Sequence, residues 1–277
     1  MRDVRLGPDS ARYMLAGTGE HVARPFNLRW LLPTLCRNSA PRWWAVWFAS
    51  WVITGAGMVW WGFEAGLVWQ QYLAAPVLVL ALAGVWAPSV CRPVSVDLPA
   101  MAVSIVAVAA LQAGWWPLAL ALILVAASIK ETSPVFAALW AWHPILLVGL
   151  LAPIVVSFFR KPALDEITGT AMNGVLKHVH DHPVRSAWEH HAGKWRDPRM
   201  VTQWGGCLAA LYRPSWQIAA VVGVAYAQLI VATDIYRLVH TAAGPLLAIV
   251  AVQVVPLPWL AVACAVSCVW WLSPEFQ

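Results

Sequence analysis

The sequence predicts an all-α, polytopic integral membrane protein, and three observations support this prediction. Hydrophobic residues make up 61% of the 277-residue chain and charged residues only 11%, whereas a typical soluble domain is roughly 25% charged. Long uncharged apolar stretches recur along the chain. Tryptophan residues, which favour the membrane interface, frame several of these stretches. We therefore expect a helical bundle with about seven to eight membrane segments.

The basic residues concentrate in two blocks. Of the 18 Lys and Arg residues, seven lie between Arg2 and Arg42 and seven between Arg160 and Arg199. Basic blocks that flank apolar spans are typical of juxtamembrane anchors that contact lipid head groups. The net charge of +5 therefore indicates membrane lipids as partners and gives no indication of nucleic acid.

Residues 1–42 form a basic N-terminal segment that we expect to be partly helical. Asp9 is well placed to cap a helix that begins at Ser10. The segment contains no apolar h-region of the kind that signal peptides carry, so we expect the first membrane span to act as the insertion signal.

Residues 43–159 are predicted to hold the N-terminal membrane helices. The first span, 43–61, carries no charge and is framed by tryptophan pairs. A second span covers about 66–86, an apolar run of more than 30 residues covers 98–129, and a further span covers 134–159.

The run 98–129 is long for one helix. Gly114, Trp115, Trp116 and Pro117 lie in its middle, so a hairpin of two short or re-entrant helices is one interpretation and a single tilted helix is the other. A hairpin places the two basic blocks on opposite faces of the membrane, and a single span places them on the same face. The N-terminal block is the better guide in the positive-inside rule and favours a cytoplasmic N-terminus in a bacterial-type plasma membrane.

Residues 160–203 are predicted to form an amphipathic helix-turn-helix insert at the membrane interface. Its apolar residues follow one helical stripe. His178, His182, Glu189 and His190 are chemically compatible with a metal site, but no framework such as HExxH supports one. Interfacial histidines and a substrate loop are the alternative interpretations, and we expect no cofactor.

Residues 204–277 are predicted to hold the C-terminal membrane helices. The first of them covers 216–232. A polar joint, 234–240, interrupts the apolar run, and two further stretches cover 242–255 and 259–272.

Ionisable residues between apolar runs are costly and are functional candidates by default. In the polar joint, Asp234 and Arg237 can pair at a spacing of three residues, and His240 lies on nearly the same side of a helix. One interpretation is a self-neutralised helix end at the interface. The other is a cationic site for a phosphate or lipid head group, with Arg237 as the donor fork and Asp234 as its orienting partner.

Two segments together resemble the C-type glycosyltransferase (GT-C) family of polytopic membrane proteins. The segments are DSARYMLAGTGEHVARPFNLRWLLP and AYAQLIVATDIYRLVHTAAGPLLA, together about 50 of the 277 residues. The positions that carry the resemblance are Asp9, Arg12, Tyr13, Pro25, Arg29, Pro33, Asp234, Arg237 and Pro245.

The resemblance implies a transferase that uses a polyprenyl-phosphate sugar donor and an acceptor of unknown identity. Asp9 would be the base, and Arg12 or Arg237 would contact the lipid phosphate, with Tyr13 and Arg29 as further candidates for binding the substrate. His240 is added to these candidates because of its place in the polar joint. The alternatives are a non-catalytic membrane scaffold or lipid-binding protein and a transporter or channel. The enzyme hypothesis requires Asp9, Arg12 and Arg237 to converge on one cavity that opens to the membrane face.

Overall fold

A computed structural model describes residues 8–82, 84–86, 94–164, 185, 188–189, 199–228 and 235–269. Within these ranges the regular elements are all helical, as the composition predicts. The N-terminal segment contributes two short helices, α1 (Pro8–Gly17) and α2 (Leu31–Cys36). Helix α1 begins at Pro8, two residues before the predicted start at Ser10, so Asp9 lies in the first turn and the prediction that it caps the helix is wrong.

The rest of the described chain is a bundle of α-helices with two 3₁₀ helices, η1 and η2. In chain order these elements are α3 (Ala40–Glu64), α4 (Trp69–Leu80), α5 (Asp97–Gln112), α6 (Trp116–Ile129), α7 (Ser133–Ala141), η1 (Pro144–Leu150), α8 (Leu151–Phe159), α9 (Arg199–Thr202), η2 (Gly205–Tyr212), α10 (Trp216–Ala227), α11 (Ile235–Val254) and α12 (Leu257–Cys268). Their apolar side chains form one large core around α4, α5 and α11.

The run 98–129 forms the helical hairpin that the sequence indicated. Helix α5 ends at Gln112 and α6 begins at Trp116. Gly114 adopts a φ of 78° in the turn, a conformation that glycine enters without steric cost. The single tilted helix is therefore excluded.

The segment 134–159 forms three pieces, so the prediction of a single span here is wrong. Helix α7 ends at Trp142, which has a left-handed φ of 50°, and Pro144 then opens η1. Because the chain reverses here, the Arg160 carbonyl returns to accept a hydrogen bond from the Asn27 side chain at 3.0 Å. The start of the second basic block, at Arg160, therefore lies beside Asn27 of the N-terminal segment even though 98–129 is a hairpin.

Helix α11 begins inside the polar joint 234–240, at Ile235, whereas the sequence predicted that the joint separates two apolar helices. Arg237 and His240 both lie within this helix. Their side chains have partners in other elements: Arg237 faces carboxylates, and His240 accepts a hydrogen bond from the Gly84 amide at 2.9 Å. Tertiary contacts therefore satisfy the polar side chains whose presence predicted an interruption between two apolar helices.

Among the described residues, two helices are long and apolar enough to cross a membrane. They are α3, with 25 residues, and the 18-residue part of α11 from Arg237 to Val254. The predicted second span, 66–86, yields only the 12-residue α4, which contains Pro76. Several other apolar helices are also shorter than a full span. In the described part of the chain, therefore, only two of the expected seven to eight spans are both long enough and apolar enough to cross a membrane.

The bundle has two chemically different ends. The charged end is the end at which Asp9, Arg29, Asp97, Glu131 and Arg237 lie, joined by ion pairs. The aromatic end lies at the opposite ends of α3, α5 and α11. Its exposed aromatic residues are Phe63, Trp69, Trp115, Trp116 and Trp259.

The predicted insert 160–203 is described at its two edges and at residues 185 and 188–189. At its start, the Ala163 amide donates to the Val22 carbonyl at 3.2 Å. At its end, Trp204 packs against His240, one helical turn from Arg237, with the ring centroids 4.5 Å apart. Both edges therefore lie toward the charged end. The predicted helix-turn-helix itself falls outside the described residues.

Candidate functional site: a charged cluster at one end of the bundle

Asp97, the first residue of α5, lies at the centre of the charged cluster. Its side chain is only 7% exposed. One carboxylate oxygen lies 2.5 Å from Lys130 Nζ, and the other lies 3.1 Å from Arg237 Nε and accepts a hydrogen bond from Ser95 Oγ at 3.2 Å. A buried carboxylate is tolerated only with such compensation.

A second carboxylate, Glu131, ties the N-terminal segment to the bundle. Arg29 donates to both of its oxygens, through Nε at 2.8 Å and Nη2 at 2.7 Å. Nη1 of the same guanidinium donates to the Tyr13 hydroxyl at 2.8 Å. This planar, two-point arrangement is the strongest form of an arginine–carboxylate pair.

The outer part of the cluster is looser. Asp9 lies 3.6 Å from Arg12 Nη1 and 3.5 Å from Arg237 Nη2. These side chains are more accessible, with exposed fractions of 41% for Asp9, 29% for Arg12 and 20% for Arg237. Arg237 therefore joins the exposed carboxylate of Asp9 to the buried carboxylate of Asp97.

The structure brings together five of the residues that the sequence singled out. Asp9, Arg12 and Arg237 lie together although they come from opposite ends of the chain. None of the three lines the cavity found beside the cluster in the described part of the chain, so the convergence on one cavity that the enzyme hypothesis requires stays a prediction. Tyr13 and Arg29 lie in the adjoining part of the cluster.

The other sequence candidates do not belong to this cluster in the described chain. His240 is completely buried between the Gly84 amide and the Trp204 ring. Glu189 is exposed and pairs with Arg185 at 2.6 Å within one helical turn. Asp234, His178, His182 and His190 lie outside the described residues.

Sequence analysis missed three members of the cluster: Asp97, Lys130 and Glu131. Each flanks the apolar run that forms the α5–α6 hairpin. Ionisable residues between apolar runs are functional candidates by default. The same signal that pointed to the polar joint is therefore present at Asp97, Lys130 and Glu131. Asp97, on another helix, is one partner of Arg237, and the predicted partner Asp234 lies outside the described residues.

The cluster shifts the pKa values of two groups at its N-terminal side. Burial raises the pKa of Tyr13 to about 12, although the charge of Arg29 acts in the opposite direction. Burial alone would raise the pKa of Glu131, but the charge and hydrogen bonds of Arg29 outweigh it and lower that pKa. The Arg29–Glu131 pair therefore stays ionised at neutral pH.

We expect the folded state to lose stability as the pH falls below about 4.5, the ordinary pKa of a glutamate. Because the pKa of Glu131 is lower in the folded state, the unfolded chain takes up its proton first, and the stabilisation disappears as the pH falls through the folded-state pKa. Thermal melting of the purified chain between pH 7 and pH 3 measures this loss. Glu131→Gln should show a shallower acid dependence, and an identical slope in both proteins would contradict the prediction.

A small polar cavity adjoins the cluster. Asp97 and Lys130 line it together with Ser104, Thr132 and Thr241, and its volume is about 20 Å³, which accommodates roughly one water molecule. It is far too small for a sugar. The described residues contain no group of three or more His, Cys, Asp or Glu side chains that could hold a metal ion.

No family model matches this chain, and no curated protein sequence or solved structure matches it either.

Proposed function

We propose that this chain is an integral membrane protein that binds the phosphate group of a lipid at its charged end. The observation that carries the proposal is the convergence of Arg12 and Arg237 on the exposed carboxylate of Asp9. Two guanidinium groups that face one accessible position are a suitable receptor for a phosphate, which guanidinium groups bind through paired hydrogen bonds.

The geometry of the outer pairs supports a receptor role more than a purely structural one. The Asp9 pairs span 3.5 and 3.6 Å, whereas the structural pair of Arg29 and Glu131 spans 2.7 Å. Charge-assisted hydrogen bonds are typically about 2.7–2.9 Å long. Arg12 and Arg237 are therefore less tightly fixed by Asp9 than Arg29 is by Glu131.

The charge balance of the cluster also favours an anion. Arg12, Arg29, Lys130 and Arg237 contribute four positive charges, and Asp9, Asp97 and Glu131 contribute three negative charges. Among these described residues, four minus three leaves one positive charge. A lipid phosphate compensates that charge without leaving the membrane interface.

The two ends of the bundle suggest an orientation in a plasma membrane. The aromatic end carries exposed tryptophans of the kind found at membrane interfaces. Arg160, the first residue of the second basic block, lies at the charged end, where its carbonyl accepts a hydrogen bond from Asn27 of the N-terminal segment. Under the positive-inside rule, the charged end and the N-terminus face the cytoplasm.

A polyprenyl-phosphate-sugar transferase is the second candidate. The convergence of Asp9 with Arg12 and Arg237 is the specific observation that favours it, because the resemblance to C-type glycosyltransferases implies a base beside the lipid phosphate. At 41% exposure, the Asp9 side chain is accessible to an acceptor hydroxyl. A scaffold, a transporter or a channel has no comparable supporting feature.

Binding of a polyprenyl phosphate labelled on its tail, measured by fluorescence anisotropy with the detergent-purified chain, tests the main proposal. Arg12→Ala should weaken binding about tenfold or more, as expected for loss of a hydrogen bond to a charged group. Arg237→Lys, which keeps the charge but loses the planar fork, should also weaken it. Arg185→Ala is the matched control because Arg185 is an exposed arginine that also pairs with a carboxylate.

Unchanged affinity in both cluster variants would rule out this lipid-phosphate site. Asp9→Asn separates the two candidates. A transferase should lose sugar transfer from the lipid donor while still binding the lipid phosphate, whereas a lipid-binding protein shows no transfer in any variant.

A further inference from the structure

The polar cavity beneath the charged cluster is a second site, separate from the exposed pair of arginines. It lies where α5, α7 and α11 meet, and its volume is about 20 Å³. Its polar lining residues are Asp97, Ser104, Lys130, Thr132, Ser133 and Thr241. Apolar side chains, among them Met101 and Phe136, complete the lining. A cavity that has several polar groups in its wall and enough room for a water molecule can hold one.

One lining group requires a partner. The Thr132 Oγ1 atom is buried without a hydrogen-bond partner in the described part of the chain. Buried hydroxyl groups in native proteins are nearly always satisfied by protein atoms or by ordered water. In addition, Pro245 in α11 has no N–H to donate to the carbonyl of Thr241, four residues earlier.

We propose that this cavity binds a single internal water molecule. The water accepts a hydrogen bond from the Lys130 ammonium and shares another with Thr132 Oγ1. The ammonium has three N–H donors, and the Asp97 carboxylate engages one of them at 2.5 Å. The water thereby joins the segment before α7 to the buried ion pair at the start of α5.

The charges at the site select a neutral ligand. Lys130 already supplies the positive charge opposite Asp97, so a sodium ion entering the cavity would meet an ammonium group. A chloride ion would meet the Asp97 carboxylate, which is only 7% exposed. Water has a dipole that can satisfy both neighbours, and it adds no charge to a buried site.

Radiolytic footprinting of the full-length chain in detergent tests this proposal directly. Hydroxyl radicals formed from an internal water oxidise the side chains beside it even when bulk solvent cannot reach them. Met101 lines the cavity and is 3% exposed, whereas Met58 is 0% exposed in the same core and does not line the cavity. Met101 should be oxidised several-fold faster than Met58, and equal rates would overturn the proposal.

The sign of a stability change gives a second test. If the water is present, Thr132→Val removes one of its partners and should raise the unfolding equilibrium constant about fivefold, as expected for loss of one hydrogen bond. If the cavity is dry, the same change deletes an unsatisfied buried hydroxyl and should stabilise the protein, which would overturn the proposal. Thr132→Ser keeps the hydroxyl and serves as the control.

The ionic composition of the buffer distinguishes water from a cation. With bound water, replacing sodium chloride by choline chloride at equal ionic strength should leave the melting temperature of the wild-type chain unchanged. A melting temperature that rises with sodium in the wild type but not in Thr132→Val would overturn the proposal in favour of a sodium site. None of these results depends on whether the charged end binds a lipid phosphate.

Discussion

Replacing Asp97 by asparagine should be among the most destabilising single changes in this chain, reducing the free energy of unfolding by about 3–5 kcal/mol. The carboxylate is buried and faces two cations, Lys130 at 2.5 Å and Arg237 at 3.1 Å. Its neutral amide analogue leaves both positive charges at the end of an apolar bundle without their common counter-ion. Denaturant unfolding of the purified chain measures the loss.

Two further variants make this prediction specific. Glu20→Gln also removes one negative charge, but from an exposed position, and should change stability by no more than about 0.5 kcal/mol. Adding Lys130→Met to Asp97→Asn removes one of the stranded cations and should recover part of the loss. If Asp97 is not the counter-ion of Lys130, the costs of the two changes should simply add. A double variant whose loss of stability equals the sum of the two single losses would therefore contradict this assignment.

Replacing Arg29 by methionine should release the N-terminal segment from the bundle. The change leaves Glu131 without its two-point partner and Tyr13 without its hydrogen bond. We expect a loss of about 3 kcal/mol, near the lower limit for a broken buried pair, because the two side chains retain 15% and 22% exposure. Hydrogen exchange should accelerate more in α1 than in α5.

A double-mutant cycle isolates this pair. Arg29→Met combined with Glu131→Gln should cost less than the sum of the two single changes, because the second change removes the charge that the first has stranded. The exposed pair of Arg185 and Glu189 provides a matched cycle and should show no measurable coupling. Additive costs at Arg29 and Glu131, or uniform acceleration of exchange in both helices, would mean that this pair does not anchor the segment.

Local sequence features were sufficient to predict some elements of the fold. The turn at Gly114 and Trp115 could be predicted because a glycine flanked by interfacial tryptophans interrupts an apolar run at its midpoint. The helix–helix boundary near Pro256 was predictable for a similar reason, since a proline pair separates two apolar stretches. In both places the signal lies within a few residues of the structural feature.

Other elements depended on contacts that a sequence does not display. Arg237 and His240 looked like a break in the last apolar run, yet α11 passes through both because distant residues compensate them. The reversal after Trp142 was missed because tryptophan has no preference for the left-handed conformation it adopts there. That reversal brings Arg160, the first residue of the second basic block, back to Asn27 in the N-terminal segment.

The candidate site illustrates the same division. Composition alone determined that the chain is an apolar, helical protein and that its few ionisable residues require an explanation. Sequence resemblance selected Asp9, Arg12 and Arg237, but only the tertiary structure showed that they lie together and that Asp97, on another helix, also faces Arg237. The physical reason is the range of the interactions: helix formation and apolar burial are encoded by residues close in sequence, whereas a buried carboxylate acquires its partners only when helices distant in sequence pack together.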